Sequence, residues 1–320
     1  MLCVVLPTIY ALSSCQIPLW RGLSIRSIRW ISTLGRLAVD FSTQIREGKI
    51  SLEDLIDAKK PHLRRWIPAF VLSYIKRIVH LDEVNGTVAG HQGEHGRQFA
   101  ENVLREMGVD YAAEGISALS TSGRYILVSN HPLGGLDGMV LIALFGQYFD
   151  KIYFPVNDLL TALPQFSDIF LPINKHGAQS QENARRLKEA YASDAQILYF
   201  PAGLCSRRGV NGKVRDLEWQ PSFVSKAVEY QRDVVPLYFH GKNSRFFYGL
   251  ARWRKRLGIK ANIEMLYLVD EMFRQRGAHL RVVVGRPLPW QTFQDRSRSR
   301  GEWAQWVKAQ TYALAAATKK

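Results

Sequence analysis

Apolar residues fall into two rhythms along this chain. Short unbroken runs recur: YILVSN (125–130), KIYFPV (151–156), DIFLPI (168–173), QILYFPAG (196–203), VVPLYFHG (234–241) and LRVVVGRPL (280–288). Their length suits strands, and their lack of alternation suits strands covered on both faces. Between them lie segments of helical character. Residues 94–108 put Phe99, Val103, Leu104 and Met107 on one face, and MVLIALFG (139–146) reads as a buried helix. Gln181 to Tyr191 reads as a polar-faced helix, and a further helical stretch follows Lys226. Strands alternating with helices, with Gly and Pro at the strand ends, predict an α/β sheet protein. In such sheets ligands gather beyond the strand ends.

The flanks differ. In residues 62–80, Leu63, Trp66, Ile67, Phe70, Val71, Tyr74, Ile75, Ile78 and Val79 follow helical spacing beside Arg64, Arg65, Lys76 and Arg77. Pro68 predicts a kink or a late start. The stripe fits a helix lying in a membrane interface and fits ordinary core equally well. Residues 83–92 (EVNGTVAGHQ) read as a loop. The first 20 residues carry no charge, so they lack the basic start of a secretory signal, and Pro7, Ser13, Ser14, Gln16 and Pro18 interrupt them as a span. The expected organisation is an apolar, loosely ordered leader over 1–35, a helical region over 36–110, the main domain over 111–300, and a closing helix over 301–320. Trp303, Trp306, Val307 and Leu314 set the spacing of that helix.

Composition narrows the function. Of 320 residues, 47% are hydrophobic, enough for a substantial core. The three cysteines, Cys3, Cys15 and Cys205, form no CxxC pair, which excludes a disulfide scaffold and argues against structural zinc. Lys and Arg number 43 against 28 Asp and Glu, a net charge of +15. Such an excess suits a polyanionic partner: nucleic acid, an anionic membrane surface or an acidic carrier protein. Residues 201–260 hold 13 Lys and Arg against four Asp and Glu, interleaved with aromatics at Arg245-Phe246-Phe247-Tyr248 and Arg252-Trp253-Arg254. Basic and aromatic side chains together suit a headgroup interface.

Four segments carry chemistry. The first runs Asn130-His131-Pro132-Leu133-Gly134-Gly135-Leu136-Asp137. A carboxylate can hold one nitrogen of a strand-end histidine and leave the other as a base. Gly134 and Gly135 permit a tight backbone path. The second is Leu171-Pro172-Ile173-Asn174-Lys175, where Lys175 could meet a phosphate. The third is Phe200-Pro201-Ala202-Gly203-Leu204-Cys205-Ser206-Arg207-Arg208, with guanidinium forks suited to phosphate or carboxylate. The fourth is Val234-Val235-Pro236-Leu237. Cys205 has no evident base beside it and reads as a small buried filler.

In this order, over residues 110–290, the blocks resemble the glycerolipid acyltransferase superfamily of 1-acylglycerol-3-phosphate acyltransferases. Within it they are most similar to the hemolysin-like branch close to acyltransferases that finish ornithine and glycine lipids. His131 and Asp137 match the first block, Lys175 the second, Phe200, Pro201, Gly203, Ser206 and Arg207 the third, and Val235 and Pro236 the fourth. The chain departs from the family in two places: five residues separate His131 from Asp137 rather than four, and Ala202 stands where the third block has Glu.

The resemblance implies a mixed, partly parallel sheet flanked by helices and preceded by N-terminal amphipathic helices. It implies transfer of a fatty acyl group from an acyl carrier protein or coenzyme A thioester to a lysolipid hydroxyl, at the cytoplasmic face of the inner membrane. No metal or other cofactor is implied. His131 would act as general base, oriented by Asp137. Asn130, Gly134, Gly135, Asn174, Lys175, Phe200, Pro201, Gly203, Ser206, Arg207 and Arg208 would contact substrate. Ala202 weakens the case for lysophosphatidic acid as acceptor. Three rivals stand beside this reading: an acyltransferase that does use lysophosphatidic acid, an inactive lipid-binding relative, and a nucleic-acid-binding protein. The last leaves the NHPLGGLDG motif unexplained.

Overall fold

Unbroken apolar runs need cover on both faces, and a computed structural model gives it to them. The structure describes residues 50–59, 67–156, 164–173, 180–209, 211–259 and 262–317. The strands are β1 (Asp110–Glu114), β2 (Tyr125–Ser129), β3 (Ile152–Val156), β4 (Phe170–Pro172), β5 (Gln196–Tyr199), β6 (Arg207–Arg208), β7 (Val214–Arg215), β8 (Asp233–His240) and β9 (His279–Val284). Seven form one sheet in the order β1-β9-β8-β2-β5-β3-β4. β8 and β9 pair antiparallel, and the other neighbours pair parallel. The sheet is mixed and flanked by helices, as expected, and most of its neighbours pair parallel. β6 and β7 form a separate antiparallel ribbon.

β2 is the central strand of the seven, and every residue in it is buried. β1 was not evident in the sequence. Its residues, DYAAE, alternate between exposed and half-buried along the sheet edge, so no apolar run marks it.

The helices are α1 (Leu52–Lys59), α2 (Ala69–Ile78), α3 (Leu81–Gly90), α4 (Gly96–Glu106), α5 (Leu136–Tyr148), α6 (Ser180–Ala192), α7 (Ser222–Tyr230), α8 (Arg245–Arg256), α9 (Leu268–Phe273) and α10 (Arg300–Ala317). The chain divides into two compact units. One contains the segment ending at Glu94 together with Asn243–Gln275; the other contains His95–Asn157, Gln165–Lys242 and Arg276–Lys320. α4 belongs with the sheet, and α8 and α9 belong with the N-terminal helices.

Residues 83–92 correct the sequence reading. Residues 83–90 are helical in α3, and only His91 and Gln92 fall in a turn after it. Gly86 and Gly90 suggested a loop, since glycine weakens a helix by about 1 kcal/mol relative to Ala. Burial of Leu81, Val84 and Val88 on one face outweighs that cost. Asn85, on the same helix, exchanges two hydrogen bonds with the Ile50 backbone at 2.8 and 2.9 Å. The helix expected after Lys226 begins earlier, at Ser222, because Phe223, Val224 and Ala227 supply its buried face.

Pro68 marks a start rather than a kink: it is the N-cap of α2. The stripe of 62–80 then divides. Ile75, Ile78 and Val79 are core, whereas Phe70 is 74% exposed and Tyr74 is exposed as well. Residues 62–66 and the leader over 1–35 lie outside the described residues.

The closing helix is present as α10. It buries Trp303, Ala304 and Val307 in a cluster with Trp219 and Phe223 of the sheet's own unit. No helix among the described residues is long and apolar enough to cross a membrane.

Candidate active site

Parallel pairing brings the first and third blocks to the carboxyl ends of two neighbouring strands. Val128 of β2 lies opposite Tyr199 of β5, so the residues after both strands emerge side by side. Asn130 continues β2 in effect. Its amide donates to the Phe239 carbonyl at 3.0 Å and accepts from the Phe239 N–H at 2.7 Å, tying the strand end to β8. His131 follows directly.

The turn from His131 into α5 carries the carboxylate back to the ring. Gly134 takes φ +80, a left-handed conformation that favours glycine. This turn absorbs the fifth intervening residue, and His131 Nδ1 lies 3.0 Å from Asp137 Oδ2. The same oxygen accepts from the Leu133 N–H at 3.0 Å and the Gly134 N–H at 3.4 Å, while Oδ1 accepts from Gly138 N–H at 3.0 Å. Asp137 is fully buried in the first turn of α5, where the helix dipole favours an anion.

Burial alone would push the Asp137 carboxyl upward. The adjoining His131 and the backbone N–H donors outweigh it and hold the carboxyl below the usual carboxylate range. An ionised Asp137 makes Nδ1 the protonated ring nitrogen. That leaves Nε2 with its lone pair, and Nε2 has no partner among the described residues. The ring lies flat against Phe200, with centroids 4.0 Å apart and planes 22° apart. Gly138 packs against the same rings: a Cβ there would make ordinary contacts with Phe154 at 3.4 Å and Phe200 at 3.7 Å.

The third block contributes more than Phe200. Pro201 and Gly203 shape a tight turn, in which Gly203 N–H donates to the Phe200 carbonyl at 3.1 Å and Gly203 takes φ +65. Ser206 points inward. Its N–H donates to the His131 carbonyl at 2.7 Å, and its hydroxyl donates to Asp216 Oδ1 at 2.6 Å. Arg207 is also buried; one guanidinium nitrogen donates to the Cys205 carbonyl at 2.7 Å and lies 2.8 Å from its sulfur. Arg208 is exposed and bonds the Gly212 carbonyl across the ribbon. The Cys205 thiol is in no disulfide with a described residue and has no surface exposure. Ala202 is half-buried against the core that contains Trp219. Asn174 and Lys175 lie outside the described residues.

The sequence reading missed Asp216. Its buried carboxylate accepts from the His131 N–H at 3.1 Å and from Ser206, and its other oxygen accepts from Trp219 Nε1 at 2.8 Å. No periodicity marks it, because it follows a two-residue strand in irregular chain. The pair Asp216…Trp219 in RDLEW was the only hint available, and it became meaningful once folding had brought His131 beside it.

Comparison with known proteins agrees with the order of the blocks. A family model described as acyltransferase matches residues 54–319. The chain is 44% identical over 266 residues to the lyso-glycine lipid O-acyltransferase of Bacteroides thetaiotaomicron, covering 83% of this chain and 97% of that protein. It is 43% identical to the lyso-glycine lipid O-acyltransferase of Phocaeicola vulgatus, covering 83% and 95%. Among solved structures it is similar to the 1-acyl-sn-glycerophosphate acyltransferase PlsC of Thermotoga maritima, at TM-score 0.39 and 16% identity, covering 78% of this chain and 95% of that one. That likeness is too remote to bear on the acceptor. The match over most of the chain and the two close relatives decide the matter: the chain belongs to the acyltransferase family and is an acyl-transfer enzyme.

Proposed function

We propose that this enzyme moves a fatty acyl group from an acyl thioester to the hydroxyl of a lyso-amino-acid lipid, with His131 as general base. The observation that carries the reading is the asymmetric histidine. Nδ1 is held by a buried carboxylate, and Nε2 has no partner among the described residues.

The acceptor hydroxyl oxygen attacks the thioester carbonyl carbon as its proton passes to Nε2. Asp137 keeps the ring in one tautomer and stabilises the imidazolium that forms. Collapse of the tetrahedral adduct breaks the C–S bond, and the thiol leaves with the proton from Nε2. The products are an O-acyl ester and free thiol, with His131 restored. General-base catalysis of this kind contributes about 10²–10⁴ in rate. The thiol belongs to acyl carrier protein or coenzyme A.

The relatives' names support a lyso-glycine lipid as acceptor. Ala202 supports it too, because the third block lacks the carboxylate that the resemblance associates with phosphorylated acceptors. The enzyme works as a peripheral protein on an anionic membrane surface, at the cytoplasmic face. Support comes from one unit of the fold. α8 buries Phe247, Tyr248 and Ala251 and exposes Arg245, Phe246, Arg252, Trp253 and Arg256 along its opposite face. Trp253 is 64% exposed and Phe246 49%. Tyr267 joins this face to α2: its ring meets Phe246 edge-on at 4.9 Å, and its hydroxyl lies 2.6 Å from that of Tyr74. Each basic residue near an anionic bilayer contributes roughly 1 kcal/mol, and aromatic rings favour the headgroup layer.

The test offers radiolabelled acyl carrier protein, or acyl coenzyme A, with lyso-glycine lipid, lyso-ornithine lipid or lysophosphatidic acid. Label should enter the lyso-glycine lipid. Label entering lysophosphatidic acid alone would reassign the acceptor, and no transfer from either donor would favour an inactive lipid-binding relative. On vesicles containing anionic lipid, the Phe246→Ala/Trp253→Ala double variant should bind at least about 10-fold more weakly than the parent. Equal binding would remove α8 as the docking face.

A further inference from the structure

His131 is fixed at more than its ring. Both polar groups of its backbone are engaged by the segment after β5: the carbonyl accepts from Ser206 N–H at 2.7 Å, and the N–H donates to Asp216 Oδ1 at 3.1 Å. Ser206 also donates its hydroxyl to that same oxygen at 2.6 Å, so the three residues close a ring of hydrogen bonds. The second Asp216 oxygen is anchored by Trp219 Nε1 at 2.8 Å. The closing helix holds the backbone of Asp216: its N–H donates to the Tyr312 hydroxyl at 2.7 Å, and its carbonyl accepts from Lys308 Nζ at 3.0 Å. All these groups lie in the unit that contains the sheet.

We propose that Asp216 is a positioning residue for the acyl transfer, setting the height and tilt of His131 through the His131 backbone N–H. The proposal rests on the reading of His131 as base. A buried carboxylate is a costly way to satisfy one peptide N–H unless it is fully paired. Here it is paired by three donors: His131, Ser206 and Trp219. Asp137 controls the ring and Asp216 the backbone, so neither substitutes for the other. The arrangement also gives α10 a part in catalysis, since Tyr312 and Lys308 hold Asp216 in place. A displacement of about 1 Å in a reacting group can cost about 10²-fold in rate.

The test compares the full-length parent with Asp216→Ala, Asp216→Asn, His131→Ala and the double variant Asp216→Ala/His131→Ala. Each is assayed for kcat and KM with labelled acyl carrier protein and lyso-glycine lipid, beside its thermal unfolding midpoint. Asp216→Ala should lower kcat about 10- to 100-fold with KM within about threefold. Asp216→Asn still offers one oxygen, though a weaker acceptor, and should recover most of that rate, leaving a deficit of about three- to tenfold. In the His131→Ala background, Asp216→Ala should cost almost nothing further, because the group it positions is gone. Loss that persists in that background, or that falls on KM alone, overturns the proposal. So does an unchanged kcat in Asp216→Ala. Should Asp216→Ala not fold, Asp216→Asn decides it: a full parental kcat overturns the proposal. If His131→Ala itself keeps the parental rate, the base assignment fails. If only the Asp216 variants keep it, the base assignment stands and Asp216 is structural.

Discussion

His131 and His80 are surrounded alike at first sight. Each ring lies flat on a phenylalanine: His131 on Phe200 with centroids 4.0 Å apart, His80 on Phe273 with centroids 4.3 Å apart. Each has a carboxylate within hydrogen-bonding reach. The second nitrogen separates them. His80 spends both, Nδ1 on Glu83 at 2.8 Å and Nε2 on Asp270 at 3.2 Å. Its backbone takes a left-handed φ of 47 at the junction of α2 and α3. Asp270 is itself shared with Arg274. His131 spends one nitrogen, on a carboxylate that is fully buried and, among the described residues, otherwise bonded to backbone N–H groups. A ring bonded at both nitrogens ties chain segments together, whereas a ring with an unspent lone pair can receive a proton. The number of polar neighbours is similar at the two rings; the unpartnered nitrogen among the described residues is what differs.

The sharpest way to break this comparison is to remove each ring in turn. His131→Ala should lower kcat by about 10²–10⁴ in a protein that still folds. His80→Ala should leave kcat within about twofold and cost about 1 kcal/mol of stability by denaturant unfolding. Equal losses of activity would mean that the open nitrogen does not matter.

Asp137→Asn should lower kcat by about 10²-fold, since an amide cannot hold the tautomer or balance the imidazolium as a carboxylate does. It should also change the acid limb of the stability curve. The Asp137 carboxyl is depressed in the folded state, so its contribution is fully present above the unfolded value near pH 4 and is lost as pH falls through the lower folded value. Unfolding followed from pH 5 down to pH 2 should therefore show a shallower decline in Asp137→Asn than in the parent. A steeper or identical decline would refute the ionised, bonded carboxylate.

The smallest effect sharpens the stacking half of the comparison. Phe200→Leu keeps the volume roughly but loses the flat face under the ring, and kcat should fall about three- to tenfold with KM nearly unchanged. No change would mean that Phe200 merely fills space.

Much of the α/β framework was legible in the chain. The runs in β2 and β5 show no alternation, because a central strand of such a sheet meets helices on both sides; apart from Ser129 and Gln196 at their ends their residues are apolar or aromatic, and nearly all are buried. The His131 and Asp137 pairing could be read because one short turn contains it. The edge strand β1, the helix α3 and the early start of α7 were not legible. Their patterns are weak locally, and long-range burial or pairing supplies the energy that makes them.

The sequence by itself determined the alternating architecture, the family, the histidine with its nearby carboxylate, and the basic, aromatic character of residues 245–256. Each is a property of residues adjacent in the chain. Only the tertiary structure decided that Ser206 and Arg207 turn inward, that Ile75, Ile78 and Val79 are core while Phe70 and Tyr74 are exposed, and that Asp216 grips the backbone of His131 from 85 residues away. Hydrogen bonds and burial depend on which groups meet in space. For residues so far apart in sequence, that is set by the pairing of β2 with β5 and by the packing of α10, not by any local pattern.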